Sequence, residues 1–427
     1  MIEGLNRVQP PVFPIAGINI PEVLTFNLDN EVPVYLIEAG TEDIIRVEFT
    51  FRAGQEREYL PLLASTTNTM LQEGSQNHTS EELHRLLDFY GIFLHFSFDK
   101  DRAGIVVFAL SRHIEKVLEL SLDILFRPAF PESELNALMK KRLQWFMINR
   151  EKVQNVAMDQ FFESLFGKRH PYGHQVTEED FGNINSPILA VFHDMNYTPE
   201  NMAVIISGKI PGETTALLNG YFGNLKSKEI YREEHKTTLK GNRKRKIHIE
   251  MPGTVQTAVR VGSATINKRH PDYPGLKILD SVLGGYFGSR LMKNIREEKG
   301  YTYGIRSGVS SMDLSGYKVI STEVGNKYLK PTLEEIYSEI HILQNDPVNA
   351  AELEVVRNYM SGEMVRMFDG PFALAESFRS AWEFGLDSTY FYRLMEKIKT
   401  IDPDEIKSIA NAYYNIDELY EVTAGSK

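Results

Sequence analysis

The chain has no cysteine among its 427 residues. That absence excludes a disulfide framework, a thiolate nucleophile, a zinc finger and an iron–sulfur cluster together. Long apolar runs are also missing, and no stretch approaches the roughly 20 residues that a membrane helix requires. The amino terminus, Met1-Ile2-Glu3-Gly4-Leu5-Asn6-Arg7, has no basic segment leading into an apolar one. No secretory signal is read there, and a cytoplasmic location is expected. Positive charge is in deficit, with 47 Lys and Arg against 58 Asp and Glu and a net charge of −11. Neither nucleic acid nor a membrane is therefore an expected partner. The Gly-x-Ser-x-Gly nucleophile elbow is absent as well. The run Gly284-Gly285-Tyr286-Phe287-Gly288-Ser289 lacks the Gly-Lys-Ser/Thr ending of a phosphate loop and reads as a tight turn between helices.

What is present suits a globular protein of two or three domains. Residues 43–52 alternate apolar and polar as a half-buried strand does, and a helix follows at about 60–73. Thr79-Ser80-Glu81-Glu82 is a capping box that opens a helix ending near Tyr90. Strands at about 92–99 and 103–110 pair around the polar tip Asp99-Lys100-Asp101. A helix at 112–126 and a second, long helix from Pro131 to about residue 166 come next. Met202-Ala203-Val204-Ile205-Ile206 is a buried strand. Between Lys226 and Lys246 nine Lys or Arg meet three Glu with few apolar residues, so this stretch reads as a linker.

The second half repeats the order of the first. A strand at 257–261 leads to helices at 272–283 and 288–298, then strands at 302–311 and 316–324, then helices at 330–343 and 350–367. A shift of 209 residues places Gly91 on Gly300 and Phe51 on Arg260. The fold expected is α+β: two duplicated domains, each an antiparallel-rich sheet with helices packed mainly on one face. The domains are residues 1–225 and 247–427, joined by a basic linker at 226–246.

With no cysteine, a metal would need His, Asp or Glu, and the 11 histidines give no set at ligand spacing. His170 and His174 are four apart, but Pro171 and Gly173 between them break any shared helix face. His84 and His113 have no acidic partner at ligand spacing, and His193-Asp194 reads as a structural hydrogen-bonded pair.

Phe51-Arg52-Ala53-Gly54-Gln55-Glu56, Leu63-Ala64 and Met70-Leu71-Gln72-Glu73-Gly74-Ser75 together resemble the pitrilysin/insulinase metallopeptidases, which include mitochondrial processing peptidase. In that family a His-x-x-Glu-His helix between these anchors holds zinc, and a further Glu lies on a later helix. Two imidazoles on one helix face bind the metal, and the Glu beside them deprotonates its water. The resemblance places Ser65 and Thr69 on the two His positions, Asn68 on the catalytic Glu and Trp145 near the last ligand. None of these side chains supplies an imidazole or a carboxylate, so no metal is expected in this chain.

The second half carries Phe287-Gly288-Ser289-Arg290-Leu291 and Ile295-Arg296-Glu297-Glu298-Lys299-Gly300-Tyr301-Thr302-Tyr303-Gly304. This is similar to the family's C-terminal signature, in which an Arg and a Tyr seven residues apart complete the active site; here they are Arg296 and Tyr303. Arg296 falls in a last helical turn, Gly300 can end that helix in the left-handed conformation, and Tyr303 is expected on the departing strand. Arg290 is expected to pair with Glu297, and Tyr301 to share the strand face of Tyr303. In the first half the corresponding positions are Leu87 and Leu94.

The resemblance implies a zinc-free subunit whose partner is a homologous, zinc-binding subunit carrying His-x-x-Glu-His, acting together on peptides. Zinc would reside in that partner, and the isolated chain would be inactive or form a homodimer. The alternative is a structural or peptide-binding scaffold with no protease partner.

Overall fold

A computed structural model of the chain describes residue 15, residues 17–226 and residues 241–426. The first half supplies strands β1 (Leu24–Asn27), β2 (Pro33–Glu38), β3 (Ile44–Phe51), β4 (Phe93–Phe98), β5 (Ala103–Leu110) and β6 (Met202–Gly208). Its helices are α1 (Leu63–Met70), α2 (Ser80–Tyr90), α3 (Ile114–Phe126), α4 (Glu132–Asn149), α5 (Val153–Phe166), α6 (Ser186–Asn196) and α7 (Thr214–Phe222). The second half supplies β7 (Lys246–Glu250), β8 (Gln256–Thr265), β9 (Ile305–Ser311), β10 (Gly316–Gly325) and β11 (Tyr420–Gly425). Its helices are α8 (Tyr273–Asp280), α9 (Leu329–Asn345), α10 (Ala350–Arg366), α11 (Pro371–Trp382), α12 (Thr389–Thr400) and α13 (Pro403–Tyr413).

The duplication is visible in strand order. One sheet runs β1-β2-β6-β3-β5-β4 and the other β7-β11-β8-β10-β9. With β1 set aside, the two sequences of neighbours are the same. Each sheet also has one parallel pair at the matching place, β2 with β6 and β7 with β11, the other pairs being antiparallel. Gly91 and Gly300 both adopt the left-handed conformation, at φ 61° and 65°. The fold is α+β with two mixed sheets, as the sequence order implied.

Each sheet buries one face under helices of its own half. Val34, Val47, Phe49, Val204 and Ile206 pack with residues of α1, α3, α6 and α7. Val259, Val261 and Ile320 pack with residues of α8, α9, α12 and α13. The opposite faces are covered across the halves. Helix α5 lies on β8 and β11, where Ala157 meets Ala258 and Ala424. Helix α11 lies on β2 and β6, where Leu374 and Ala375 meet Ile37 and Ile205.

This exchange explains one departure from the sequence reading. The long helix expected from Pro131 to residue 166 is two helices, broken at Arg150-Glu151-Lys152. Neither proline nor glycine marks the break. Helix α4 carries Leu135 and Met139 of the first core, whereas α5 must turn to reach the second sheet, and that docking overrides local helix propensity. Most of the expected basic linker, 227–240, lies outside the described residues; residues 241–245 are exposed and Lys246 already belongs to β7. Among the described residues, no helix is long and apolar enough to cross a membrane.

Candidate active site

Helix α1 carries Ser65, Asn68 and Thr69, the positions to which the resemblance assigns zinc-site roles. It is short, and Leu63, Ala64 and Met70 pin it into the first core. Ser65 Oγ donates to the Leu62 carbonyl at 3.1 Å, and Thr69 Oγ1 donates to the Ser65 carbonyl at 2.9 Å. Both hydroxyls thus bond back to their own helix, as such groups commonly do. Asn68 is buried and acts as a bridge. Its Nδ2 donates to the Ser97 carbonyl on β4 at 2.8 Å, and its Oδ1 accepts from the Tyr197 hydroxyl at 3.0 Å. Trp145 on α4 is 57 % exposed.

The space beside Ser65 is taken by a cation of the protein itself. From α4, Arg142 donates through Nη2 to Ser65 Oγ and through Nη1 to Thr66 Oγ1, both at 2.7 Å. Behind it, Glu58 accepts from the Ala64 amide at 3.2 Å. Burial pushes the Glu58 carboxyl up to about 8, against the opposing charges of Lys100 and Arg142. A fixed guanidinium repels a dication, and hydroxyls and an amide are poor ligands for it. These residues do not fit zinc, and among the described residues no group of three or more His, Asp or Glu could hold a metal. His170 Nδ1 accepts from the Tyr172 amide in a buried turn, and His174 Nδ1 faces the Lys168 carbonyl. His193 bonds the Leu125 carbonyl at 2.8 Å, while Asp194 lies 3.8 Å off. The expected His193–Asp194 hydrogen bond is therefore only an electrostatic proximity.

The second half builds a more open site. After α8 the backbone widens into a π-helical turn at Ser281–Gly285, and a second π-helical segment spans Met292–Glu298. Such widened turns recur at functional sites. The second segment is tethered on its outer side. Arg290 pairs bidentately with Glu352 at 2.8 Å for both bonds, not with Glu297 as the sequence suggested. Asn294 donates to Glu335 at 2.9 Å and to Glu339 at 2.7 Å, and Lys299 pairs with Glu335. Long-range carboxylates from α9 and α10 thus outcompete the nearby Glu297.

Arg296 projects from this segment and lies over the ring of Phe287, with its guanidinium carbon 4.6 Å from the ring centre. The stacking holds a delocalised cation without neutralising it. Tyr303 is 92 % exposed and precedes β9 instead of lying within it, because the strand begins only at Ile305. Thr302 fixes this approach: its Oγ1 donates to the Glu323 carbonyl at 2.8 Å. Thr322 Oγ1 adds a bond of 2.9 Å to the Gly304 carbonyl. Tyr301 does not share the Tyr303 face; its ring stacks on Tyr328 with centres 4.9 Å apart. A cavity of about 550 Å³ opens beside Tyr303, walled by Tyr286, Phe287, Arg260, Arg306 and Glu323. Arg296 is not part of this wall but stacks on Phe287, which is. Their first-half counterparts, Leu87 and Leu94, belong to the first core and its edge.

Sequence reasoning singled out Arg296, Tyr303 and the positions on α1, and did not single out Arg142 or Glu58. The one available signal was a cation on α4 a single turn before Trp145.

Comparison with known proteins bears on the fold that carries these residues. Residues 183–360 match the sequence model of the family described as Peptidase M16 inactive domain. Over that stretch the chain is similar to the M16, or pitrilysin-type, peptidases. It is 24 % identical over 302 residues to the uncharacterized zinc protease YmxG of Bacillus subtilis, covering 69 % of this chain and 72 % of that protein. It is 22 % identical over 402 residues to the non-peptidase homolog YmxG of Helicobacter pylori, covering 91 % and 90 %. The crystal structure of a peptidase M16 inactive domain from Pseudomonas fluorescens superposes with a TM-score of 0.84 at 22 % identity, over 95 % of this chain and 99 % of that one. A protease structure from Helicobacter pylori gives 0.85 at 16 % identity, over 95 % and 100 %.

Proposed function

We propose that this chain is the zinc-free subunit of a heterodimeric endopeptidase that acts on short or unfolded peptides. Its partner is a homologous subunit carrying His-x-x-Glu-His, which holds the zinc. On this reading the halves 1–225 and 247–427, joined through 226–246, form one wall of the chamber the two subunits enclose.

The observation that carries the reading is the exposed Tyr303 phenol, framed by Thr302 and Thr322 at an open cavity, with Arg296, which has no ion pair among the described residues, stacked on Phe287 of the cavity wall. A phenol and a guanidinium are donors that bind a substrate carbonyl and strengthen their hold as it gains negative charge. Neither needs to move a proton. Strand β9 begins two residues after Tyr303 and is the last strand of its sheet. Its outward backbone groups suit a substrate that adds as an extended strand, read by backbone more than by side chain.

The test mixes the purified chain with candidate His-x-x-Glu-His subunits and measures cleavage of unfolded peptides. Activity is expected only in a mixture. Tyr303→Phe and Arg296→Ala should each lower kcat on the order of 10²-fold, with zinc content of the complex unchanged. Mixed-subunit activity that survives both substitutions would remove the assignment of these residues. A complex that forms without any activity would favour the scaffold reading.

A further inference from the structure

A separate cavity of about 360 Å³ lies between the loop that precedes α8 and one face of α12. Its polar walls come from Lys268, Arg269 and His270 on the loop and from Arg393 and Lys397 on the helix. No carboxylate is part of the wall, in a chain whose net charge is −11. Positions 393 and 397 are one helical turn apart, so both cations project to the same side. Pro271, Pro274 and Leu386 add an apolar flank.

Carboxylates outside the wall act on three of these cations: Asp313 on Arg269, Glu405 on Lys397 and Asp387 on Arg393. Arg269 is braced by Asp313 at 3.1 Å and by the Phe384 carbonyl at 3.3 Å, and Lys397 pairs with Glu405. His270 Nδ1 accepts from the Asp272 amide, which fixes the ring. Arg393 is exposed. Lys268 is the informative member. Its ammonium donates to the Ser380 carbonyl at 2.8 Å, which is its only hydrogen-bond acceptor among the described residues. The same ammonium lies over the Phe384 ring, 5.4 Å from its centre, so hydrogen bonds engage only part of its donor capacity. Burial pulls Lys268 down to about 8, and the charge of Glu383 only partly offsets this. Like charges gathered in a concave site concentrate a counter-ion there.

We propose that this cavity binds a small phosphate-bearing anion, with Lys268, Arg393 and Lys397 donating to the phosphate oxygens and the proline flank facing the rest of the ligand. A phosphate group carries enough acceptors and charge to engage several cations at once, and guanidinium forks match its geometry. A lone carboxylate would leave most of the cations unmatched. The site is independent of Arg296 and Tyr303, so its test does not depend on the peptidase reading.

The experiment is calorimetric titration of the full chain with sodium pyrophosphate at physiological ionic strength, with citrate as the carboxylate control. Saturable binding at one site per chain is expected, with citrate binding more weakly. Arg393→Ala and Lys397→Ala should each weaken pyrophosphate about tenfold, the loss of one charge-assisted contact. Both sit on the surface of α12, and an unchanged melting temperature would confirm that they fold. Lys168→Ala, at a well-exposed lysine in the other half, should leave binding as it was. Three results would overturn the proposal: no saturable heat, unchanged affinity in the Arg393→Ala/Lys397→Ala pair, or an equal loss in Lys168→Ala. Citrate binding as tightly as pyrophosphate would overturn the phosphate assignment.

Discussion

At the scale of single residues, a guanidinium occupies the face of α1 to which the resemblance assigns a metal. Arg142 bridges Ser65 and Thr66, and Glu58 lies behind it. Restoring the ligands alone should therefore fail. A Ser65→His, Asn68→Glu, Thr69→His, Trp145→Glu variant is expected to hold far less than one zinc per chain after dialysis, by elemental analysis. Adding Arg142→Leu should raise the content, because the repelling charge has gone. Glu58 gives a second prediction, in pH. Its folded value, about 8, lies above the ordinary 4.5, so the fold favours its protonated form. The stability it contributes is complete below about 4.5 and is lost as pH rises through about 8. Urea midpoints should fall from about pH 5 to about pH 9, by at most of order 4 kcal/mol from this group. Glu58→Gln, which keeps an acceptor for Ala64, should flatten that slope. That Ser65, Asn68 and Thr69 share one helix was legible in the sequence, because helical spacing is local. Arg142 and Glu58 were not, since their meeting depends on how α4 packs against α1.

At the scale of elements, local signals were reliable where the chain itself does the work. Thr79 and Glu82 form both halves of the expected capping box, and Gly91 closes α2 in the left-handed conformation. Gly300 plays the same part after the second π-helical segment, at φ 65°. Substituting alanine there sets a Cβ against a backbone conformation that L residues avoid, at a cost of about 1 kcal/mol. Gly304, four residues on, is a suitable control: its φ is not positive and a Cβ would meet nothing within 4 Å. Thermal unfolding should show a clear drop for Gly300→Ala and little change for Gly304→Ala. The elements that were misread share another cause. The break at 150–152, the π-helical turns and the late start of β9 all answer to partners far along the chain. Arg290, for example, is aligned by Glu352 on α10, which no local window contains.

At the scale of the whole molecule, the halves are two copies in topology but not two independent bodies. Helix α5 covers the second sheet and α11 covers the first, so separation would expose an apolar face on each. Charged groups close the seam between them. Arg102, beside the β4–β5 turn, reaches the Glu383 carbonyl at 3.0 Å and Asp313 at 3.5 Å, and Asp101 accepts from the Asp313 amide at 2.9 Å. Arg379 on α11 meets Glu48 on β3 at 3.3 Å. Trp382 Nε1 donates to the Tyr35 hydroxyl across the same junction at 2.6 Å. Arg102→Ala would take one of two arginine partners from the carboxylates of Asp313 and Glu383, each 3.5 Å from Arg102, and about 1–2 kcal/mol of stability should go with it.

The exchange of helices also makes a sharper prediction about cooperativity. The chain has two tryptophans, Trp145 in the first half and Trp382 in the second, so each half carries its own fluorescent reporter. Two linked domains commonly unfold in separate steps. Here neither half can keep its sheet covered once the other has opened, because the covering helix leaves with its own half. Trp145→Phe and Trp382→Phe variants should therefore show coincident urea transitions, each matching the loss of helix seen by circular dichroism. In Arg102→Ala both transitions should move to lower urea together, since a seam shared by both halves stabilises both. Transitions that separate, with one reporter unchanged while the other shifts, would mean that α5 and α11 only rest on the foreign sheets and do not bind the halves into one folding unit.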